Sequence, residues 1–196
     1  SIQAGVNAAD QGDIIFVKKG TYFENVILNK KDVVVSGESK DSTIVDGQNL
    51  GRVFTLENPT YNNNDVCTIE NFTIQNGFAF GGGGILVAYF SPQLINLNVI
   101  NNNAGSEGGG IQCSNGSPTL DGLFIAGNHA SYAGGGIYLD NQAQLTISNS
   151  TVVNNSANAY GGGIQVHNVS AAEFINCILW NNTTEWNGYQ QAHVAS

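Results

Sequence analysis

Short runs of alternating apolar and polar residues, punctuated by glycine clusters at a steady interval, organise the chain from about residue 66 onward. In Ile137-Tyr138-Leu139-Asp140 and Ile164-Gln165-Val166-His167 the first and third side chains are apolar, and Leu145-Thr146-Ile147 alternates likewise. Alternation at period two puts one set of side chains on one face of a β-strand. The runs recur. A Gly-Gly-Gly-Ile string ends at Ile85, Ile111, Ile137 and Ile164, at spacings of 26, 26 and 27 residues. Six residues before each string stands an Asn, at Asn76, Asn102, Asn128 and Asn155, and Asn182 continues the series 27 residues later. Thr73, Val99, Ile125, Val152 and Leu179 precede these Asn by three.

Several columns sharing one period identify a solenoid. Helical repeats need two amphipathic helices in about 33 residues or more, and glycine triplets would break them. The Leu-x-x-Leu-x-Leu pattern of leucine-rich repeats is absent. Short alternating strands in a coil of near-constant length stack in parallel, and parallel crossovers are right-handed. The expected fold class is all-β: a right-handed single-stranded parallel β-helix with a short N-terminal capping α-helix. The cap is read from Ile2, Val6 and Ala9 on one helical face, with Gly12 placed to end the helix.

A single domain is expected over 1–196, divided into a cap helix (1–12), irregular first coils (13–65), regular coils (66–182) and an irregular end (183–196). Strand-like segments in the first coils are Ile14–Val17, Gly20–Tyr22, Val26–Leu28, Val33–Val35 and Thr43–Val45, while Asn58–Asp65 reads as a loop. No C-terminal cap is evident, so further coils or a partner are expected at that end. Without an initiator Met or a leader, the opening at Ser1 reads as that of an excised or processed segment.

The Asn column has a physical reason. Equivalent residues on successive coils lie ~4.8 Å apart, the distance at which one carboxamide N–H reaches the carbonyl of the next. Asn76, Asn102, Asn128, Asn155 and Asn182 are therefore expected to form a hydrogen-bonded ladder. Asn also tolerates the left-handed conformation of a sharp corner, and glycine suits a corner where positive φ or close backbone approach is needed.

Charge narrows the choice of partners. The net charge is -9, and the six basic residues, Lys18, Lys19, Lys30, Lys31, Lys40 and Arg52, all precede Val53. Nucleic-acid binding needs a basic face that most of the chain cannot supply, and attraction to anionic lipid fails likewise. No apolar run reaches the ~20 residues of a membrane-spanning helix. The cysteines, Cys67, Cys113 and Cys177, show no metal-ligand spacing. Three small core residues, or one disulfide and a free thiol, remain open.

Two resemblances rest on quoted strings. Ser1-Ile2-Gln3-Ala4, Gly20-Thr21-Tyr22-Phe23-Glu24-Asn25-Val26 and Thr43-Ile44-Val45-Asp46-Gly47 resemble the first coils of the pectin-lyase-like superfamily, especially pectin methylesterases. The Gly-Gly-Gly-Ile runs with apolar-x-x-Asn are similar to repeats of bacterial surface β-helices such as polymorphic membrane proteins and autotransporter-like passengers. The resemblance implies the fold; activity varies widely on it. The catalytic strings of pectin methylesterases (Gln-Asp-Thr and Asp-Phe-Ile-Phe-Gly), the Gly-His-Gly and Arg-x-Lys of polygalacturonases, and the Arg or Lys base of pectate lyases do not occur in the central coils. Calcium is conceivable for such a fold, but the Gly-Gly-x-Gly-x-Asp motif is missing, so no cofactor is expected.

Two constellations remain as candidate chemistry. Stacking the coils puts Ala88, Ser114, Asp140 and His167 in one outward column, making Asp140 and His167 neighbours ~4.8 Å apart. Such a pair offers general acid/base chemistry, whereas Ser114 is two coils from His167 and beyond nucleophile activation. Tyr132 and Tyr160 near the glycine corner, with Tyr138, Gln112 and Gln165 on the adjoining strand, form a candidate sugar-binding surface, since flat rings stack and amides hydrogen-bond. The functional expectation is a secreted or cell-surface module, of bacterial type, for adhesion, carbohydrate contact or spacing. Its partner would be a polysaccharide or a host or cell-surface glycan. The alternatives are a carbohydrate-active enzyme with an atypical site, and a protein whose coils self-associate end to end.

Overall fold

The computed structural model describes residues 1–29, 32–58, 67–186, 188–189 and 191–194. The expected loop Asn58–Asp65 falls outside them, apart from Asn58, which is buried and donates its N–H to the Ala88 carbonyl at 3.0 Å. The molecule is an all-β right-handed parallel solenoid of about 6 turns with one short N-terminal helix.

Each turn visits its faces in a constant order. A first sheet stacks seven strands from Ile14–Val17 to Ala171–Ile175, and a second stacks seven from Gly20–Tyr22 to Ile178–Trp180. From Phe78–Ala79 onward a two-residue corner strand follows, and a third long sheet runs from Val26–Leu28 to Ala192–Val194. Among the described residues one pairing is antiparallel, Thr183–Thr184 with Gly188–Tyr189. Period-two alternation sends one side chain of each pair inward. Ile85, Ile111, Ile137 and Ile164 thus stack in register on the third sheet and are at most 1% exposed. Each contributes about 1.5–3 kcal/mol by leaving water. Cys67 and Cys113 fill the same core, Cys177 is half-buried, and all three are free thiols.

The helix caps the column with Ile2 and Val6 buried, but it is shorter than expected. It spans Ile2–Ala8 and ends at Ala9, which is already extended at ψ 142. Gly12 instead serves the following turn, at φ +88, where its N–H meets the Asp32 carbonyl at 2.6 Å. Glu24 holds the other end, accepting from the Ile2 and Gln3 N–H groups at 2.9 and 3.0 Å.

The buried Asn column runs through Asn102, Asn128, Asn155 and Asn182, each at most 1% exposed. Each Nδ2 donates to the next Oδ1 at 2.9–3.1 Å and to a carbonyl of the preceding coil, such as Val99 for Asn128. Each Oδ1 also accepts the backbone N–H of the preceding rung. Asn76 is not a rung. The strand Thr73–Gln75 pairs with Asn98–Ile100, so Ile74 rather than Thr73 stacks on Val99, and Gly77 N–H meets Asn102 Oδ1 at 2.8 Å. Asn76 occupies the left-handed corner at φ 54, as Asn101, Asn154 and Asn181 do at φ 52–56. The interval there is 25 residues, because the extra residue lies between the corner strand and the glycine run.

Described residues at the far end continue the coil beyond the last Asn rung. Gln191 Oε1 takes the place of the next rung, accepting from Asn182 Nδ2 at 2.9 Å, and Ala192–Val194 adds a strand beside Ile164–Val166. Among the described residues no buried side-chain polar atom lacks a partner, and no helix is long and apolar enough to cross a membrane.

The glycine corner combines two demands. Gly134 lies at φ +68, in the left-handed region that disfavours a side chain. A Cβ on Gly135 would stand 2.2 Å from the Ser156 carbonyl oxygen and 2.5 Å from that of Gly162. Arg52 secures the first such corner, donating to the Gly82 and Gly81 carbonyls at 2.9 and 2.7 Å.

Candidate functional site

Tight glycine backbone leaves room for rings to lean over the corner between the corner strands and the third sheet. A cavity of about 560 Å³ opens there, lined by Glu107, Tyr132, Ala133, Tyr138, Tyr160, Gln165 and His167. That volume lies in the range of small-ligand sites. The corner strand's continuation supplies Glu107, Ala133 and Tyr160, which are bridged to one another on successive coils. The third sheet supplies Tyr138 and Gln165, paired in register and facing outward, with His167 following.

The rings are arranged in two sets. Tyr132 and Tyr160 meet edge to face, with centroids 5.7 Å apart and planes at 84°. Trp186 extends the set, 6.4 Å from Tyr160 at 80°. Across the cleft Tyr138 and His167 stack, at 6.3 Å and 26°. Gln165 forms the floor, 3% exposed, with Nε2 donating to the Val166 carbonyl at 3.1 Å.

Asp140 and His167 are neighbours across adjacent coils, as the columns imply. His167 Nδ1 lies 3.5 Å from Asp140 Oδ1 and 3.4 Å from Tyr138 Oη. Both approach the same ring nitrogen, so no relay passes from one side of the imidazole to the other. Burial, then the charges of Asp140 and Glu107 and the neighbouring Tyr132, push the Tyr138 hydroxyl well above its ordinary value. It remains a neutral hydrogen-bonding group at physiological pH. Ser114 pairs with Asp140 and accepts from Asn141 Nδ2 at 3.0 Å, two coils from His167. Among the described residues no three His, Cys, Asp or Glu side chains converge as metal ligands.

The structure thus joins two constellations that the columns kept apart: His167 borders the cleft that Tyr132, Tyr138, Tyr160 and Gln165 line. Gln112 lies outside it. Although it shares the Tyr138 column, its Oε1 turns against Gly81 on the neighbouring coil. Glu107 and Trp186 are the contributions that sequence columns missed. Glu107 directly precedes Gly108 in the run, a position that stacks on Ala133 and Tyr160 only after the corner's one-residue offsets are known.

Comparison with known proteins gives two findings. "Probable pectinesterase/pectinesterase inhibitor 6" of Arabidopsis thaliana is 49% identical over 55 residues, covering 24% of this chain. The match takes in 10% of that protein's length. No solved structure matches. The model of the family described as "Right handed beta helix region" matches residues 59–194, and with its parallel coils and pectin-lyase-like architecture the chain belongs to that family.

Proposed function

We propose that this chain is a carbohydrate-binding β-helix module acting outside the cytoplasm, and that the aromatic cleft is its glycan site. The observation that carries the reading is the cleft itself: three Tyr rings and an amide around about 560 Å³, on a rigid stack. Rings of this kind cover the apolar faces of sugars, and the Gln165 amide and Tyr138 hydroxyl supply directional bonds. The partial likeness to a pectinesterase supports a polysaccharide ligand. The shared use of one His167 nitrogen by Asp140 and Tyr138 supports binding over turnover.

A second reading has one observation in its favour. His167, which lines the cleft, lies 3.5 Å from Asp140, an arrangement also suited to general acid/base work. One experiment separates the two. The purified chain is incubated with a panel of soluble polysaccharides, with and without calcium, and both retention and released ends are followed. Retention without product, lost in Tyr160→Ala, is the expected outcome. Product formation abolished by His167→Gln would replace binding with catalysis. The absence of retention on every glycan would sink the proposal.

A further inference from the structure

The charge around the cleft narrows its ligand further. The last Lys or Arg in the chain is Arg52, whose guanidinium is held by the Gly81 and Gly82 carbonyls and Thr55 Oγ1. No Lys or Arg therefore lines a cavity built from residues 107–167. Its one basic side chain, His167, already faces Asp140 at 3.5 Å. Glu107 remains as a carboxylate on the cavity wall, beside three Tyr rings.

We infer that the cleft selects a sugar bearing a protonated amine, a 2-amino-2-deoxy residue, over neutral or uronic sugars. This rests on the glycan-binding reading above. Tyr132 and Tyr160 already pack edge to face at 5.7 Å and 84°, so an ammonium group in the cleft meets a ring face that this contact leaves open. Glu107 supplies the counter-charge on the same wall. A uronate carboxylate meets Glu107 on that wall, with no Lys or Arg to offset it. An N-acetylated sugar keeps the stacking and loses the charge.

Calorimetry in low-salt buffer, at a pH where the amine is protonated, tests this with four oligosaccharides of equal length. They are a β-1,4-glucosamine oligomer, its N-acetylated form, a cello-oligosaccharide and an oligogalacturonate. The glucosamine oligomer is expected to bind roughly tenfold or more tighter than the two neutral ones, the gain of one cation–π contact with a charge partner. Added salt should shrink that margin, since the charged part is screened. Glu107→Gln should narrow the ratio of amine to neutral affinity by about tenfold. Equal binding of amine and neutral oligomers, or preference for the uronate, overturns the inference while leaving glycan binding intact. Binding of none of the four overturns both.

Discussion

Replacing Asn128 by Ala removes the middle rung of the buried ladder, and the structure allows the cost to be worked out. The Asn128 carboxamide donates to the Val99 carbonyl and to Asn155 Oδ1, both at 2.9 Å, and accepts from Asn102 N and Nδ2 at 3.0 and 3.1 Å. After truncation Asn155 Oδ1 keeps the backbone N–H of residue 128, and Asn102 Nδ2 keeps the Ile74 carbonyl. The Asn102 backbone N–H is left without its acceptor, in a residue 0% exposed. An orphaned buried donor costs about 1–3 kcal/mol, and each lost bond with a partly satisfied partner about 0.5–1.5 kcal/mol. The expected loss is therefore at least about 3 kcal/mol. Urea unfolding followed by far-UV circular dichroism measures it, with the neighbouring half-buried Asn103→Ala as the control. A loss below about 1 kcal/mol, or one equal to the control, would refute the view that the column is a cooperative polar spine.

The remaining predictions concern the corner and the thiols. Gly135→Ala brings a Cβ within 2.2 Å of the Ser156 carbonyl, so the strands on either side must part; a loss of at least ~3 kcal/mol is expected in the same urea assay. Burial pushes the Cys67 and Cys113 thiols from an ordinary 9.0 up to about 12. Unfolded thiolates form from about pH 9, so the stability these thiols contribute is complete below that pH and falls progressively between about 9 and 12. Cys67→Ala/Cys113→Ala should flatten the alkaline arm of a stability-versus-pH curve, and an unchanged slope would contradict the assignment. At neutral pH half-buried Cys177 should react first with a thiol reagent, as mass spectrometry of the labelled chain would show.

The solenoid was legible because its determinants are local and repeated. Alternation, the glycine strings and the apolar column each report one coil, and stacking makes them agree. The errors cluster where coils differ in length. Asn76 matches the corner residue Asn101, while Gly77 stands where the rung Asn102 does, so a constant interval selects the corner residue and misses the rung position. The site was legible in its parts: Tyr138, Gln165, Asp140 and His167 follow from register alone. Its closure into one cleft was not, because side-chain direction over the corner decides it. Gln112 and Gln165 share a column, yet one leans on Gly81 and the other floors the cavity. Gln191 replaces an Asn nine residues after the last rung, a substitution that no fixed period reveals.

The polar spine also makes the molecule a ruler. Every rung locks its coil to the next at the strand spacing of ~4.8 Å, so side chains on the third sheet are graduated along the axis at that interval. Moving a functional group to the same position of the adjacent coil displaces it by one graduation and leaves its direction unchanged. A binding face built on such a scale can be lengthened, shortened or shifted coil by coil, because each coil contacts mainly its immediate neighbours. The distance between two grafted groups would then be chosen by counting coils.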